Sequence, residues 1–485
     1  MMSLLAWLAP WVLGSGIVVL VAGRPRDHAG WCALLGLGWL LGMLLTASLL
    51  ALAHGLASPQ AVVPRLAPWL LVIGVVLCLG AWRWRRSAGL QAGNPQPASW
   101  AWRVLGAVLL ALLAWHGWLL FAEATARPLF PWDAWLVWSI KPKTWFLLDQ
   151  WVPFVGFPEW LGSASPALHT DAVPAYPELL GHLELWFASG AGCWCDPAYT
   201  SVWPALWLAM LVGGYGLLRT LGCGFGPALL ACFALGSLPM VNTHAALAGY
   251  ADLWLAAAFA FALLCWLHWQ RCRRAGWLIV ALALGLSLPA IKVEGGVWMI
   301  LWLAVLAVGL LPRRWRRGEL FGAAALLVLL VLGVAFGGLG LPLPGIGWVH
   351  VDGNHLQITD LSDLSLGWHP VGGAVLESLL TIPNWHLLFW LAPVVLAWRW
   401  RTLRTSTGLG LMALCLLGGT TFLFVLFFLT GAGAWASDYS SINRLLLQMV
   451  PALVFLLALV FVDDDAVLGS AARNESVVPS KSLLP

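Results

Sequence analysis

The chain has 485 residues, of which 61% are hydrophobic and only 9% are charged, and its mean hydropathy is +0.86. This composition is typical of a polytopic membrane protein and excludes an ordinary soluble globular domain. The net charge of +4 is small and indicates no nucleic-acid partner, so the lipid bilayer is the first partner that the sequence predicts.

Apolar runs long enough to cross a ~30 Å hydrocarbon core predict an all-α protein of about thirteen transmembrane helices. The runs cover 4–22, 31–54, 66–82, 104–122, 203–219, 224–241, 250–268, 276–291, 296–311, 319–336, 385–398, 408–430 and 445–462. The first run lacks a basic flank and a cleavage site, so it is interpreted as a retained helix and not as a signal peptide.

The charges alternate between the connections. Seventeen of the 25 Lys and Arg residues fall in every second connection, whereas fifteen of the 21 Asp and Glu residues fall in the others. Because basic connections face the cytoplasm, this pattern predicts an outward N-terminus and a cytoplasmic C-terminal tail.

The runs and loops predict four regions. They are three N-terminal helices with a cytoplasmic linker (1–103), a membrane core with a large outer loop at 123–202 (104–336), a second outer loop with closing helices (337–462), and a disordered tail (463–485). In the first outer loop, 133–148 and 176–188 predict two short helices lying on the membrane surface, the first of them kinked at Pro142.

Three carboxylates on the outer side are candidates for chemistry. Asp133 follows Pro131 and Trp132 at the end of a span, where a partly desolvated carboxylate can accept a proton from a hydroxyl. An N-cap role is the alternative. Asp171 lies in HTDAVPAYP, and Asp252 lies just inside an apolar span. A charge at mid-bilayer costs roughly 2.5–3.5 kcal/mol, which indicates a site or a buried partner for Asp252.

Three of the four lysines, Lys141, Lys143 and Lys292, also fall on the outer side, and a compact ammonium suits phosphate. Lys292 lies beside Glu294, so a structural ion pair is the alternative. For Lys141 and Lys143 the alternative is snorkelling, in which the side chain lies along apolar surface and the ammonium group reaches water. Near the C-terminus, Arg444 lies where a helix is expected to begin on the outer side. It is expected either to hold a phosphate or to pair with Asp438, which precedes it by six residues.

Metal ligands are not indicated. His350, Asp352 and His355 lie close together in the second outer loop, but loop histidines at this spacing are more often solvated. Cys193 and Cys195 are separated by one residue, which is not a standard zinc spacing.

Taken in order, these phrases resemble the GT-C-type membrane glycosyltransferases, the superfamily of the dolichyl-phosphate-mannose–protein mannosyltransferases and the aminoarabinose transferases. The resemblance covers roughly 104–460. It rests on FPWDAW with Asp133, DAVPAYPELL with Asp171 and Tyr176, GYADLW with Asp252, LPAIKVEGG with Lys292 and Glu294, and the segment from Arg444 to Pro451.

The resemblance implies an enzyme of the bacterial inner membrane with its active site on the periplasmic side. Such an enzyme moves a hexosyl or pentosyl group from a polyprenyl-phosphate carrier to a glycolipid, polysaccharide or protein acceptor, with inversion. It implies Asp133 and Asp171 as catalytic residues. The implied phosphate-binding residues are Lys292, Arg444, Lys141 and Lys143, and the implied site-shaping residues are Asp252, Glu294, Tyr176 and Asp438.

The chain departs from the family pattern at two positions. Ala134 follows Asp133, so a paired acidic motif is absent, and Ala290 stands where a Thr often precedes the Lys. These departures leave the branch and a divalent-cation requirement open. A polyprenyl-linked glycan or lipid transporter or flippase is the main alternative, although that class places ionisable residues in mid-span. An O-antigen ligase or polymerase is a second alternative.

Overall fold

The computed structural model describes residues 1–462 apart from 55–56, 85–88, 94–97, 164, 312–338, 344–346, 353 and 359–361. The first eleven helices are α1 Met2–Ala22, α2 His28–Leu52, α3 Val62–Trp84, α4 Trp100–Ala126, α5 Ile140–Leu148, α6 Phe157–Gly162, α7 Leu179–Ala191, α8 Asp196–Thr200, α9 Val202–Thr220, α10 Phe225–Ser237 and α11 Pro239–Ala246. The others are α12 Asp252–Cys272, α13 Ala275–Ile291, α14 Gly295–Leu310, α15 Gly372–Leu380, α16 Leu388–Trp398, α17 Trp400–Thr405, α18 Thr407–Leu429, α19 Gly433–Ser437, α20 Ile442–Leu447 and α21 Val450–Leu459.

Strands and single turns connect these helices. The strands are β1 Arg24–Pro25, β2 Gly89–Leu90, β3 Phe154–Val155, β4 His169–Thr170, β5 Leu339–Leu343, β6 Gly347–Val351, β7 His355–Ile358 and β8 Ser362–Ser365. Two 3₁₀ turns cover Pro59–Ala61 and Pro383–Trp385, and a π-helical turn covers Ala134–Trp138.

The described residues are those of a helical membrane protein. Eight helices are long and apolar enough to cross a bilayer, and a ninth span results if α10 and α11, which are bent by 61° at Leu238, count as one. α13, α14 and α16 are apolar but shorter. The predicted span 319–336 and the tail 463–485 lie outside the described residues, so about thirteen spans stays a prediction.

Helix α12 forms the centre of the bundle. Every residue from Asp252 to Trp269 is buried, whereas only 17% of the apolar stretch of α4 is buried. A helix that is apolar on all sides is expected to be enclosed by others, and α12 packs against α9, α11, α13, α14, α18, α20 and α21. The N-terminus of α12 is therefore held in a ring of helix ends.

The N-terminal helices are packed into this bundle through small residues. A side chain at Gly36 of α2 would collide with the backbone at Gly213 of α9, and one at Gly42 would collide with the Pro10 carbonyl of α1. Such small-residue contacts allow close helix approach where the bilayer offers no hydrophobic driving force. One continuous hydrophobic core results, which extends from Ala6 to Val462.

The first outer loop differs from its prediction in two respects. The helix expected over 133–148 is broken at Ser139 and not at Pro142, because Pro142 lies in the first turn of α5, where a missing N–H costs little. The second helix forms as α7, but all its residues from Leu179 to Gly190 are buried against α1, α2, α3 and α5. It is therefore a core helix and not a helix on the membrane surface.

The second outer loop contains a sheet that the all-α prediction did not include. β5 to β8 pair in sequence order as antiparallel neighbours, with Val351 opposite Leu356 and His355 opposite Ser365. The sequence Asp352-Gly353-Asn354 between β6 and β7 is typical of a hairpin turn. The all-α prediction rested on the long apolar runs elsewhere and did not use this signal. His350 and His355 lie in this exposed sheet, where His355 Nδ1 is 3.0 Å from Asp363 Oδ1.

Candidate functional site

The most enclosed charged group of the described chain is Asp252, in the first turn of α12. Its side chain has no exposed surface. Lys292 Nζ lies 2.8 Å from its Oδ1, Gln448 Nε2 donates to the same oxygen at 2.7 Å, and Arg444 Nε donates to Oδ2 at 3.0 Å. A carboxylate at a helix N-terminus is further stabilised by the helix dipole. Donors from two other segments, the turn after α13 and the helix α20 with its C-terminal end, therefore converge on the start of α12.

Arg444 extends the cluster from Asp252 towards the surface. Its Nη1 donates to Asp133 Oδ2 at 2.5 Å, so one guanidinium bridges two carboxylates that are 119 positions apart in the sequence. The guanidinium also lies over the ring of Tyr250, 4.5 Å from the centroid. The Arg444 and Asp133 side chains are each 19% exposed, whereas those of Asp252 and Lys292 are enclosed. Arg444 and Asp133 are thus the accessible edge of this cluster.

A second layer fixes the donors of the cluster. Trp298 Nε1 donates to Gln448 Oε1 at 2.6 Å, which orients the Gln448 amide so that its nitrogen faces Asp252. Lys292 Nζ is also 3.1 Å from Glu294 Oε1. We refer to Asp133, Asp252, Lys292, Arg444 and Gln448 together as the Asp252 centre.

The first outer loop holds a second polar cluster, which we call the Lys141 centre: Lys141, Asp171 and Glu178. Lys141 Nζ donates to the Pro174 carbonyl at 2.8 Å and to Glu178 Oε1 at 3.1 Å, and it is 3.8 Å from Asp171 Oδ2. Burial raises the pKa of Asp171, against the hydrogen bond from the Val173 N–H and the charge of Lys141.

Tyr176 lies two residues after Pro174, whose carbonyl accepts a hydrogen bond from Lys141. Its ring stacks on Trp138, with centroids 5.4 Å apart. Burial raises the pKa of the Tyr176 hydroxyl to about 12, and the charges of Glu294, Lys292, Arg444 and Asp133 also act on it. Tyr176 is therefore within the electrostatic influence of the Asp252 centre.

Five of the ten predicted site residues come together, and the others do not. Asp133, Asp252, Lys292, Glu294 and Arg444 are joined by direct contacts, whereas Lys141 and Asp171 belong to the separate Lys141 centre. The expected pairing of Arg444 with Asp438 is wrong. Asp438 is exposed and accepts a hydrogen bond from the Ser440 N–H, while Asp252 and Asp133 take the guanidinium.

Lys143 is exposed and forms no ion pair within the described part of the chain.

Sequence reasoning missed Gln448, Tyr250 and Trp298. A Gln inside the apolar run LLLQMVPALVF is a polar residue in a span and was the available signal for Gln448. Tyr250 and Trp298 carried no signal, because aromatic residues near span ends are common in membrane proteins.

An apolar groove of about 510 Å³ runs beside the Asp252 centre. Its lining comes from α15, α16, α18, α20 and α21 and is apolar except for Thr420. Ile442, Leu446 and Met449 line it from one side of α20 and α21, whereas Arg444 and Gln448 lie on the opposite side of the same helices. These two helices thus separate the groove from the charged cluster.

Comparison with known proteins identifies no relative. No family model, curated protein or solved structure matches this chain. Among the described residues no group of three or more His, Cys, Asp and Glu side chains is arranged to hold a metal ion.

Proposed function

We propose that the protein is a membrane glycosyltransferase that moves a sugar from a polyprenyl-phosphate carrier to an acceptor on the outer face of the bacterial inner membrane. The observation that carries the proposal is the bridge Asp133–Arg444–Asp252 at the ends of apolar spans. It joins a cation that can hold a phosphate to a carboxylate that can take a proton. The sugar and the acceptor are not specified by this argument.

The proposed reaction is a single displacement at the anomeric carbon. The acceptor hydroxyl forms a bond to that carbon, the bond from carbon to the phosphate oxygen breaks, and the hydroxyl proton passes to Asp133. The polyprenyl phosphate leaves with the bonding electron pair, and its negative charge is held by Arg444. A positioned base and a preorganised cation supply the two needs of this step.

The contact between Asp133 and Arg444 sets the order of events. Without donor, the Arg444 guanidinium is occupied by the Asp133 carboxylate. In this proposal a donor phosphate competes for the same guanidinium, so donor binding frees the Asp133 carboxylate to receive the acceptor proton when the sugar is in place. Lys292 is enclosed by Asp252 and Glu294, so in this proposal it holds Asp252 in position and adds positive potential without touching the phosphate.

The apolar groove supports a lipid-linked donor. A prenyl chain needs an apolar surface that extends into the bilayer, and the groove follows α20 and α21 from Ile442 to Leu456. In the proposal the chain lies in the groove, and the phosphate passes over the start of α20 to reach Arg444 on the other side.

A transporter or flippase is the competing proposal. It gains support from the break between α10 and α11, because broken helices often line transport pathways. The charged side chains of the Asp252 centre, however, gather at the ends of helices and turns: Asp252 begins α12, Lys292 follows α13 and Asp133 precedes the π-helical turn. This placement favours chemistry at one surface over passage through the bilayer.

The test uses purified protein in nanodiscs with a panel of undecaprenyl-phosphate sugars. We expect sugar transfer or release by the wild type, and a loss of turnover of about 10²- to 10⁴-fold in Asp133→Asn with donor binding retained. The matched control is Asp149→Asn. Asp149 is exposed, lies in the same loop and accepts a hydrogen bond from the Gln60 N–H.

Two outcomes contradict the proposal. Binding of the donor with transbilayer movement but no bond cleavage would assign the protein to the flippase class. Absence of binding to every donor in the panel by a folded wild type would remove the polyprenyl-phosphate substrate class.

A further inference from the structure

The segment that carries Asp133 is an unusual piece of helix. Ala134–Trp138 forms a π turn, closed by the hydrogen bond from the Ser139 N–H to the Ala134 carbonyl at 2.8 Å. Asp133 directly precedes the turn, and α5 begins directly after Ser139. Single π turns are rare and occur frequently at functional sites.

The C-terminal end of the π turn is held by Glu184. The oxygens Ser139 Oγ and Glu184 Oε2 are 2.6 Å apart, and the two residues are only 2% and 1% exposed. Glu184 belongs to α7, which is buried along its length against the first three helices. The hydrogen bond therefore fastens the π turn to a fixed part of the core.

The N-terminal end of the turn is confined by packing and by charge. Ala134 is fully buried, and a side chain at Gly249, whose φ is +101°, would collide with the Ala134 Cβ atom. Asp133 is held by Arg444. A turn confined at both ends transmits a change at Ser139 to the position of Asp133.

We propose that Glu184 is a positioning residue for Asp133, acting through Ser139 and the π turn. The inference rests on the proposed function, in which Asp133 receives the proton of the acceptor hydroxyl. Glu184 touches neither substrate nor the reacting atoms in this scheme.

Glu184 acts in its neutral form near pH 7. Burial raises the pKa of Glu184 to about 8, the hydrogen bond with Ser139 opposes this, and the carboxylate of Asp196 adds to it. Glu184 Oε1 has no hydrogen-bond partner among the described residues, which costs less for a neutral carboxyl than for a carboxylate.

The groups that face Glu184 act in opposite directions when it ionises. The Asp196 carboxylate of α8 opposes a second negative charge, whereas the Ser139 hydroxyl donates to Glu184 Oε2 and favours the ionised form. Asp196 already accepts hydrogen bonds from the Tyr199 hydroxyl and the Leu129 N–H at 2.8 Å each. A second negative charge beside Asp196 is repelled and draws water into the contact. The π turn then loses its fastening above about pH 8.

Hydrogen exchange of the peptide 131–140 tests the positioning role without reference to catalysis. The wild type, Glu184→Gln and the control Glu159→Gln are compared at pH 7 and pH 9; Glu159 is exposed, and all three proteins share the same peptide. We expect equal exchange at pH 7. At pH 9 we expect exchange about 10-fold faster in the wild type and in Glu159→Gln than in Glu184→Gln. Equal exchange in all three at pH 9 would overturn the inference.

Kinetics supply the second readout. Ser139→Ala is expected to lower kcat by up to about 100-fold with little change in the KM for donor, because it misplaces Asp133 without altering Arg444. Glu184→Gln is expected to keep kcat at pH 7 and to lose the alkaline fall of kcat that the wild type shows. A merely structural role of Glu184 predicts no difference between the two pH profiles.

The two readouts separate the two proposals. If the wild type turns over no donor, the proposed function fails while the exchange experiment still decides the positioning role. If donor is turned over but neither exchange nor the pH profile responds to Glu184→Gln, the positioning role is wrong and the proposed function stands.

Discussion

The carboxylates of the two polar centres differ in how fully they are hydrogen-bonded and paired with cations. Both carboxylate oxygens of Asp252 receive donors within 3.0 Å, and the three donors come from two other segments of the chain. In the Lys141 centre, by contrast, Asp171 Oδ2 is 3.8 Å from Lys141 Nζ and has no hydrogen-bond partner among the described residues. In the Asp252 centre both oxygens of the central carboxylate are hydrogen-bonded by residues distant in the chain. In the Lys141 centre one oxygen of Asp171 has no hydrogen bond within the described part of the chain, and all members lie in a single loop.

This difference assigns the centres different tasks. Asp252 is enclosed and holds span ends together, so its contribution is to stability and to the placement of Arg444. The Lys141 centre holds the loop at Pro174 and leaves Asp171 Oδ2 without a hydrogen bond from any described residue. Substitutions at the two centres are therefore expected to differ in the size of their effects.

The largest effect is expected from Asp252→Asn. The change leaves Lys292 and Arg444 partly enclosed without the carboxylate that neutralises both, and breaking a buried network in this way costs about 3–5 kcal/mol. The measurement is the free energy of unfolding in mixed micelles. Turnover is expected to disappear together with stability.

The control for this prediction is Glu123→Gln. Glu123 pairs with Arg127 at 2.6 Å, but both side chains are about half exposed, and such pairs contribute about 0–1 kcal/mol. Comparable losses for Asp252→Asn and Glu123→Gln would contradict the assignment of Asp252 as the buried anchor.

Arg444→Lys is expected to have the next largest effect. Lysine keeps the charge but has a single nitrogen, so it cannot donate to Asp252 and Asp133 from two separate nitrogens as Arg444 does with Nε and Nη1, and the phosphate-holding geometry is lost. We expect kcat to fall about 10²- to 10³-fold, with a smaller loss of stability than in Asp252→Asn. Undiminished kcat in a folded Arg444→Lys protein would remove Arg444 from the proposed phosphate site.

The sequence predicted the members of the Asp252 centre better than their pairing. Asp133, Asp252, Lys292 and Arg444 stand out because charges are scarce near apolar spans. The bridge through Arg444 is not predictable, since it depends on how α20 is rotated against α12. A helix that is apolar on all sides, as α12 is, carries no periodicity that would fix this rotation.

The fold shows the same limit. Apolar runs predict the helices, since α1, α2, α9, α12 and α18 all form where hydropathy is high. The burial of α7 is not predictable, because an apolar helix that carries Glu184 fits a membrane surface and a protein interior equally well. The packing of α7 against α1, α2, α3 and α5, together with the contact between Glu184 and Ser139, distinguishes the two.

The pH dependence of stability tests whether the Asp171 carboxylate of the Lys141 centre lacks full stabilisation. The pKa of Asp171 is raised in the folded protein, so the folded state holds the proton more tightly than the unfolded state. Ionisation of Asp171 therefore removes stability as the pH rises from the ordinary Asp pKa of about 3.9 through the raised value.

Asp171→Asn removes this loss of stability, because the asparagine side chain does not ionise. We expect its melting temperature relative to wild type to rise between pH 4 and pH 7. A fall over the same range would mean that Lys141 stabilises the carboxylate more than burial opposes it, which would make the two centres alike.

The smallest effects are expected at two predicted site residues that the structure leaves outside both centres. Lys143 and Asp438 are exposed, so Lys143→Gln and Asp438→Asn should change the free energy of unfolding by less than about 0.5 kcal/mol. Neither should change kcat in the donor assay, because neither contacts Arg444 or Asp133. A rise in the KM for donor in Lys143→Gln alone would show that the donor phosphate also reaches Lys143, in the helix that carries Lys141. The site would then extend across the outer loop instead of ending at Arg444.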